Sequence, residues 1–272
     1  MRARAGGGSD GVAAQAVRQK TGVMPAFEVL LPLGAIGLYL FDSTLLLYSN
    51  ELMFVRRRSR WGFAESSALL LAGRRIYVPN PLAPGTPQFR VRWSDADSRQ
   101  EQEEAGELER FFTALRPVQY LVIALLIIML ALPLELLVFG TGVELLLVMA
   151  AFYVVTLASL GYIFARRREL RLSGRAFAAL CFDTLACAPF AINLVRKLAL
   201  RRALVGNPIA FAARTFEPAV FSSLIRAVDT RVCAEQRQES GPTSRWSELE
   251  SYRQRLAAMA SPEAPGHPPG GK

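Results

Sequence analysis

The sequence predicts a mostly α-helical, polytopic membrane protein with a small cytoplasmic β-insert. The chain has 272 residues, of which 51% are hydrophobic and 20% are charged. All 32 lysines and arginines lie outside three apolar blocks, residues 25–55, 118–165 and 176–195. A helix of about 20 apolar residues crosses a hydrocarbon core of about 30 Å. The longest block therefore has room for two crossings.

The central block, residues 118–165, predicts a transmembrane helical hairpin. Two apolar runs flank Gly-Thr-Gly at residues 140–142, a composition typical of a tight reversal between helices. No lysine or arginine lies at this turn, whereas Arg116 precedes the block and several arginines between residues 166 and 175 follow it. The positive-inside rule therefore places both ends of the hairpin in the cytoplasm.

The two flanking blocks predict further membrane segments, each either a full crossing or a re-entrant dip. Residues 176–195 have basic clusters on both sides, so one full crossing would leave four positive charges outside. The alternative is a segment that bends near Pro189 and returns, which a membrane tolerates only where protein covers the free backbone groups. In residues 25–55, Pro32 with two nearby glycines would also allow a dip.

The regions between and after these blocks predict soluble structure. Residues 56–116 contain short β-prone runs, with apolar and arginine residues alternating in residues 89–93, and then an acidic amphipathic helix that runs into the second membrane block. Residues 203–260 have the helical periodicity of cytoplasmic amphipathic helices. The polar ends, residues 1–24 and 261–272, predict disordered tails.

One apolar stripe in the carboxyl-terminal region is a candidate surface for a partner protein. Its members fall on one face of a predicted helix: Val220, Phe221, Leu224, Ile225 and Val228. The alternatives are that this stripe packs on the rest of the chain or lies on the bilayer.

Two aspartates inside apolar blocks are candidates for an intramembrane polar site. A charge in the middle of a membrane costs about 2.5–3.5 kcal/mol on insertion scales, so such residues usually face protein, water or a cation. Each aspartate lies in a similar stretch, with Asp42, Ser43, Thr44 and Asn50 in the first and Asp183, Thr184 and Asn193 in the second. The likeness is either an internal repeat, in which the two stretches lie around a shared polar site, or a coincidence. In a separate choice, each carboxylate either pairs structurally with an arginine, such as Arg175 or one from residues 56–60, or forms a proton or cation site.

Basic residues at the edges of the blocks predict contacts with anionic lipid headgroups. The formal net charge is +9, but the clusters at block edges favour a lipid surface over nucleic acid, at about 1 kcal/mol per basic residue. The candidate contacts are Arg56, Arg57, Arg58, Arg166, Arg167, Arg168, Arg196, Lys197, Arg201 and Arg202.

The residues that the sequence lacks predict that the protein is not an enzyme and holds no metal or cofactor. The single histidine, His267, lies in the carboxyl-terminal tail, and the three cysteines lack the paired spacing of metal ligands. A glycine-rich phosphate loop, a nucleophile elbow and a zinc-protease motif are all missing from the sequence.

Two functions remain compatible with these patterns. The preferred one is a non-catalytic integral membrane subunit or scaffold that docks a partner protein, or a second copy, at the cytoplasmic face of a membrane. The alternative is a small transporter or lipid-handling protein that uses Asp42 and Asp183. The alanine, arginine and glycine usage is typical of a GC-rich bacterium and so favours a bacterial plasma or inner membrane.

Overall fold

The structure is a computed structural model that describes residues 25–65, 69–93, 105–138, 143–202, 204, 207–238 and 243–260. The predicted tails and the turn at residues 140–142 lie outside these described residues, as does His267. The protein is mostly helical with a small β-insert, which confirms the coarse fold class. The described helices are α1 (Pro25–Ser43), α2 (Ala105–Val138), α3 (Val143–Ala165), α4 (Gly174–Ala186), a 3-10 helix (Ala188–Asn193), α5 (Leu194–Arg201), α6 (Pro208–Thr215), α7 (Pro218–Gln238) and α8 (Ser244–Ala260).

The β-insert consists of two three-stranded antiparallel sheets. The described strands are β1 (Leu45–Leu47), β2 (Glu51–Arg57), β3 (Arg60–Ala64), β4 (Leu70–Leu71), β5 (Arg74–Tyr77) and β6 (Gln88–Arg92). One sheet has the order β1-β5-β4 and the other β3-β2-β6. In the second sheet, Phe54 of β2 lies opposite both Phe63 and Phe89.

Strand β2 occupies part of the block that the sequence predicts as the first membrane segment. Residues 25–55 do not form one helix, because α1 ends at Ser43 and the chain continues as β1 and β2. Both faces of β2 are buried: Leu52 and Phe54 pack in the main core, and Met53 packs with residues of β1 and β5 in a smaller core between the sheets. A strand that is covered on both faces has apolar residues at successive positions, so the sequence of β2 resembles that of a membrane segment.

Helices α2 and α3 are the two described helices long and apolar enough to cross a membrane. An 18-residue window within Gly106–Pro133 of α2 and another within Val143–Ala165 of α3 each have a mean hydropathy of 2.2. Helix α2 continues through Pro117, so the amphipathic helix and the apolar segment are one element, as the sequence predicts. Its first turns pack on the second sheet, where the rings of Phe111 and Phe89 have centres 6.2 Å apart.

The end of α3 lies beside the start of α2. The chain leaves α3 through a turn in which the Leu172 amide donates to the Arg167 carbonyl at 2.8 Å and the Arg171 amide donates to the Arg168 carbonyl at 3.1 Å. This is the Schellman pattern, and Arg171 adopts its left-handed conformation, with φ 50°. The Arg171 guanidinium then pairs with Glu107 in the first turn of α2. The two helices therefore run antiparallel.

The predicted block at residues 176–195 reverses its direction. Helix α4 has 13 residues, about 20 Å at 1.5 Å per residue, which is too short to cross about 30 Å. The helix stops at Cys187, and the 3-10 helix that follows has Pro189 in its first turn. The Arg201 guanidinium at the end of α5 donates to the Ala176 carbonyl at the start of α4, at 2.6 Å. The chain therefore returns toward the start of α4, and the re-entrant path in a membrane stays a prediction.

The reversing segment is covered by other elements of the protein. The 3-10 helix packs against α1, α2 and α4, and α5 packs against α2 and β6. Every residue from Ala191 to Arg196 is buried. The backbone at the bend is therefore shielded, which is the condition for an irregular segment at membrane depth.

Helices α7 and α8 close the fold over the β-insert. Leu224, Ile225 and Val228 of α7 are buried in the main core. On α8, the Tyr252 hydroxyl donates to the Trp93 carbonyl at 3.0 Å, and the two rings lie 5.3 Å apart.

Candidate functional site

The carboxylate of Asp42 lies at the centre of a polar network between α1 and α5. One carboxylate oxygen is 3.0 Å from the Lys197 ammonium nitrogen, and the other accepts a hydrogen bond of 2.9 Å from the Asn193 amide. Asn193 precedes the first turn of α5 and Lys197 follows four residues later, a spacing that puts both side chains on one face. An acidic residue in the last turn of a helix opposes the helix dipole, and the nearby ammonium offsets that cost.

Asn193 connects this pair to a buried guanidinium. Its side-chain oxygen accepts from Arg196 at 2.9 Å, and its amide also donates to the Tyr39 carbonyl at 3.3 Å. Arg196 in turn donates to the Asn80 carbonyl at 2.6 Å, in the loop between β5 and β6. Asn193 is only 1% exposed. The network therefore joins α1, α5 and this loop through hydrogen bonds that are buried or partly buried.

These contacts give the network the chemistry of a structural clamp. The Asp42 carboxylate is matched by a fixed ammonium, and both of its oxygens have a donor within 3.0 Å. The expected partner of Asp42, Arg175 or an arginine from residues 56–60, is not the one found. Lys197 takes that place because the reversal after Cys187 returns α5 to the end of α1, which no local pattern near Asp42 predicts.

Asp183 does not join this network. Its helix presents the preceding Phe182 to the outside with 75% of the residue exposed, and the Asp183 carboxylate makes no hydrogen bond or ion pair with any residue that the structure describes. The Thr184 hydroxyl bonds to the carbonyls of Leu180 and Cys181 within its own helix. No contact among the described residues therefore joins the two aspartates, and their shared site stays a prediction.

The remaining predicted polar residues make local contacts. The hydroxyls of Ser43 and Thr44 both donate to the Leu40 carbonyl, at 2.9 and 2.8 Å. The Asn50 carbonyl accepts from the Trp93 amide at 3.0 Å, which holds the turn before β2 against the end of β6. Among the seven predicted polar residues, Asp42 of the first stretch and Asn193 of the second contact each other directly.

Three of the ten predicted headgroup contacts face the interior instead. Arg196 and Arg202 are buried, and Lys197 is committed to Asp42. The Arg202 guanidinium lies 4.6 Å from the centre of the Phe111 ring, at cation–π distance. These positions turn inward because α5 packs against α2 and β6. The other seven are Arg56, Arg57, Arg58, Arg166, Arg167, Arg168 and Arg201, of which Arg56 and Arg167 are half-buried and the rest exposed.

A cleft of ≈ 1000 Å³ opens between the β2–β3 turn and α2. Four arginines line it, Arg56, Arg57, Arg58 and Arg116, against a single carboxylate, that of Glu109. Arg56 donates to Glu109 at 2.8 Å, and its guanidinium carbon lies 3.7 Å from the centre of the Phe112 ring. The sequence predicts headgroup contacts for the first three arginines but gives no sign that Arg116, 58 residues further along the chain from Arg58, lies in the same cleft.

Glu51 is a fully buried carboxylate that the sequence analysis does not identify. Its oxygens lie 3.7 Å from Arg90 and 3.4 Å from Arg92, and one accepts from the Tyr48 amide at 3.1 Å. Arg231 of α7 donates to the Glu51 carbonyl, and burial lowers the pKa of this arginine to about 10. The sequence signal that could have identified Glu51 is the pair of arginines at alternate positions of β6. They predict one positively charged face of the strand, and a buried carboxylate beside that face would be neutralised.

The predicted partner-binding stripe on α7 lies inside the protein. Leu224, Ile225 and Val228 belong to the main core, and Val220 and Phe221 pack against it. These five residues offer a partner no continuous exposed surface, and the alternative that the stripe packs on the rest of the chain is the one observed. An apolar helical face predicts burial without specifying whether the covering surface belongs to the same chain.

No protein-family model matches the sequence, and no curated protein and no solved structure shows significant similarity to the chain.

Proposed function

We propose that the protein is a non-catalytic integral membrane subunit or scaffold. In this proposal α2 and α3 cross the bilayer, α1 and α4 lie in it beside them, and the β-insert with α6, α7 and α8 faces the cytoplasm of a bacterial cell. The proposal rests on one observation: all four helices expose large apolar side chains. These are Leu30, Leu33, Leu38 and Phe41 on α1, Tyr120, Ile123, Ile127 and Leu130 on α2, Val143, Leu146, Leu147, Val154, Leu157 and Phe164 on α3, and Phe182 and Leu185 on α4.

Exposure on this scale favours lipid as the surrounding solvent. Soluble monomers rarely expose apolar patches larger than about 300–600 Å², whereas helices in a bilayer present Leu, Ile, Val and Phe to the acyl chains at no cost. The arginines after α3 and those in the β2–β3 turn lie at the same end of the α2–α3 pair, since Arg171 contacts Glu107 and Arg56 contacts Glu109 in the first turns of α2. The positive-inside rule supports a cytoplasmic position for this end.

A docking role requires a surface other than the buried stripe on α7. The edge strand β4 fits this requirement, because it pairs with β5 alone among the described strands and exposes Leu69, Leu70 and Leu71 beside it. An edge of this kind offers a partner both backbone hydrogen bonds and apolar contacts.

Extraction and labelling test the proposed location. The protein is expected to stay in the membrane pellet after alkaline carbonate treatment, because apolar helices resist release by charge disruption. In a background with all three cysteines replaced, Thr141→Cys should react with an impermeant thiol reagent in intact cells. Ser247→Cys on α8 should react only after permeabilisation. Release by carbonate, or labelling of Ser247→Cys in intact cells, contradicts the proposed arrangement.

Purification in mild detergent tests the docking role. A defined protein is expected to co-purify at fixed stoichiometry and to be lost in Leu70→Glu, while the matched control Met259→Glu, an exposed site on α8, retains it. A chain that purifies alone, with or without Leu70→Glu, contradicts the scaffold role and favours the second candidate.

The second candidate is a small lipid-handling protein. The specific observation that favours it is the arginine-lined cleft, which opens beside the exposed apolar surface of α2. The transporter form of this alternative has less support, because Asp42 is engaged with Lys197 and Asn193 and no contact among the described residues joins it to Asp183.

A further inference from the structure

The cleft between the β2–β3 turn and α2 has a cationic end and an apolar side. Four arginines and one glutamate line the cationic end, and Tyr120 and Ile123 form part of the apolar side. Arg116 is the last basic residue before the apolar part of α2 and lies one turn before Tyr120. The transition from charge to apolar surface therefore takes place within the cleft.

Arg56 has hydrogen-bonding capacity that the protein does not use. One terminal nitrogen is bound to Glu109, but the Nε and Nη1 groups are buried and have no hydrogen-bond partner among the described residues. Phe112 fixes the guanidinium plane at 3.7 Å from its ring centre. A buried N–H group without an acceptor costs about 1–3 kcal/mol, so a shift of the Arg56 side chain toward an anion in this cleft would recover that energy.

Arg58 occupies a backbone conformation that glycine adopts more easily. Its φ is 55° in the two-residue turn between β2 and β3. A residue with a side chain costs about 1–2 kcal/mol in the left-handed region, where glycine costs little. Backbone strain of this kind is concentrated at functional sites, and here it affects a residue that lines the cleft.

The apolar side of the cleft continues along α2. Tyr120, Ile123, Ile127 and Leu130 follow the spacing of one helical face, and all four are exposed. The first two line the cleft and the last two extend away from it, into the part of α2 proposed to cross the membrane. A single ligand in contact with both ends needs an anionic head and a long apolar chain.

We propose that this cleft binds one anionic phospholipid, with its phosphate between Arg56, Arg58 and Arg116 and one acyl chain along the exposed face of α2. Guanidinium groups match phosphate with paired hydrogen bonds, which a general attraction to a charged surface does not require. The apolar face that begins inside the cleft favours a lipid over free phosphate. This inference rests on the proposed membrane location and adds to it one site with one class of ligand.

Native mass spectrometry of the full chain in mild detergent tests the proposal, with phosphatidic acid, phosphatidylcholine and inorganic phosphate as probes. One phosphatidic acid molecule is expected to bind per chain. Arg116→Gln should weaken it about tenfold, the effect of losing about 1.4 kcal/mol. The matched control is Arg60→Gln, which removes one positive charge from β3, next to the turn that borders the cleft. Arg60 pairs with Glu217 and does not line the cleft, so binding should not change.

Arg58→Gly separates binding from folding. It relaxes the turn and is expected to raise the melting temperature while it lowers the affinity for phosphatidic acid. A variant that loses lipid because it unfolds would show the opposite change in melting temperature, and such a result would count against a direct role for Arg58 in binding.

Each other outcome also decides the question. Equal loss in Arg60→Gln and Arg116→Gln would show general surface attraction, and competition by inorganic phosphate as effective as that by the lipid would show a free phosphate site. Equal binding of phosphatidylcholine would show an apolar contact without headgroup recognition. Any of these overturns the proposal. If carbonate does not release the protein and Arg116→Gln does not change lipid binding, only this inference is refuted. If carbonate releases the protein, the membrane location itself is refuted.

Discussion

The stretches around Asp42 and Asp183 share the order Phe, Asp and hydroxyl residue, yet the structure treats them differently. Asp42 lies in the last turn of α1, shortly before β1, and contacts Lys197 and Asn193. Asp183 stays within α4, and its carboxylate has no partner in the described part of the chain. The first stretch also binds the asparagine of the second. Sequence likeness therefore indicates similar local composition, while the neighbouring elements determine which carboxylate acquires a partner.

The two asparagines provide the largest expected contrast. Asn193→Ala should lower the free energy of unfolding by about 3 kcal/mol, because it leaves Asp42 and the buried Arg196 without one hydrogen bond each. Asn50→Ala should cost less, because the backbone bond that Asn50 accepts from Trp93 survives the substitution and Asn50 is half-buried, whereas Asn193 is fully buried. Thermal unfolding in detergent measures both. Similar losses would mean that the stretches are equivalent after all.

Replacing each aspartate by asparagine should give the next largest difference in stability between the two stretches. Asp42→Asn should destabilise by about 2 kcal/mol, between the values for exposed and buried ion pairs, because Lys197 loses its counter-charge in a half-buried position. Asp183→Asn should change stability by less than about 0.5 kcal/mol. Chemical denaturation at constant pH would reveal the asymmetry. A large loss in Asp183→Asn would require a partner outside the described residues.

A double-mutant cycle sharpens the assignment of the partner. Asp42→Asn combined with Lys197→Met should show a coupling of about 1–2 kcal/mol, because the second change removes the uncompensated charge that the first one leaves. Asp42→Asn combined with Asp183→Asn should be additive within about 0.5 kcal/mol. Coupling between the two aspartates instead would support the shared site.

The smallest effect on stability is expected at the phenylalanine before each aspartate, which is exposed in both stretches. Phe41 and Phe182 are 76% and 75% exposed. Phe41→Ser and Phe182→Ser should each change the melting temperature in detergent only slightly, by the equivalent of about 0.5 kcal/mol or less, because neither removes a packed core residue. A marked loss in one of them would show that the protein or a second copy covers that phenylalanine.

Local pattern was sufficient for the central helices and for one strand. The apolar runs on either side of residues 140–142 correspond to α2 and α3, and the alternation at residues 89–93 corresponds to β6. Periodicity and length determine these elements, since each needs only its own residues to form. The same rule failed for residues 45–55, because a doubly covered strand and a membrane segment present the same apolar run.

Charge pattern was a weaker guide than hydrophobic pattern. The basic residues from Arg196 to Arg202 lie beside an apolar block, as headgroup contacts do, but two of them are buried and Lys197 neutralises Asp42. A lone basic residue at the edge of a block gives no indication whether lipid or protein lies opposite it. The arginines at positions 57, 58 and 116 remain at the surface, and their common cleft is visible only in the folded chain.

The sequence by itself determined that the protein is mostly helical, where its two long apolar helices lie, and that its charges gather at their ends. These properties follow from residue order, because helical periodicity and segment length are local quantities. Tertiary structure alone decided that α5 returns to α1, that Lys197 and Asn193 become the partners of Asp42, and that the stripe on α7 is buried. Those outcomes depend on contacts between residues more than 150 positions apart, as between Asp42 and Asn193, and no local pattern encodes which distant surface will meet another.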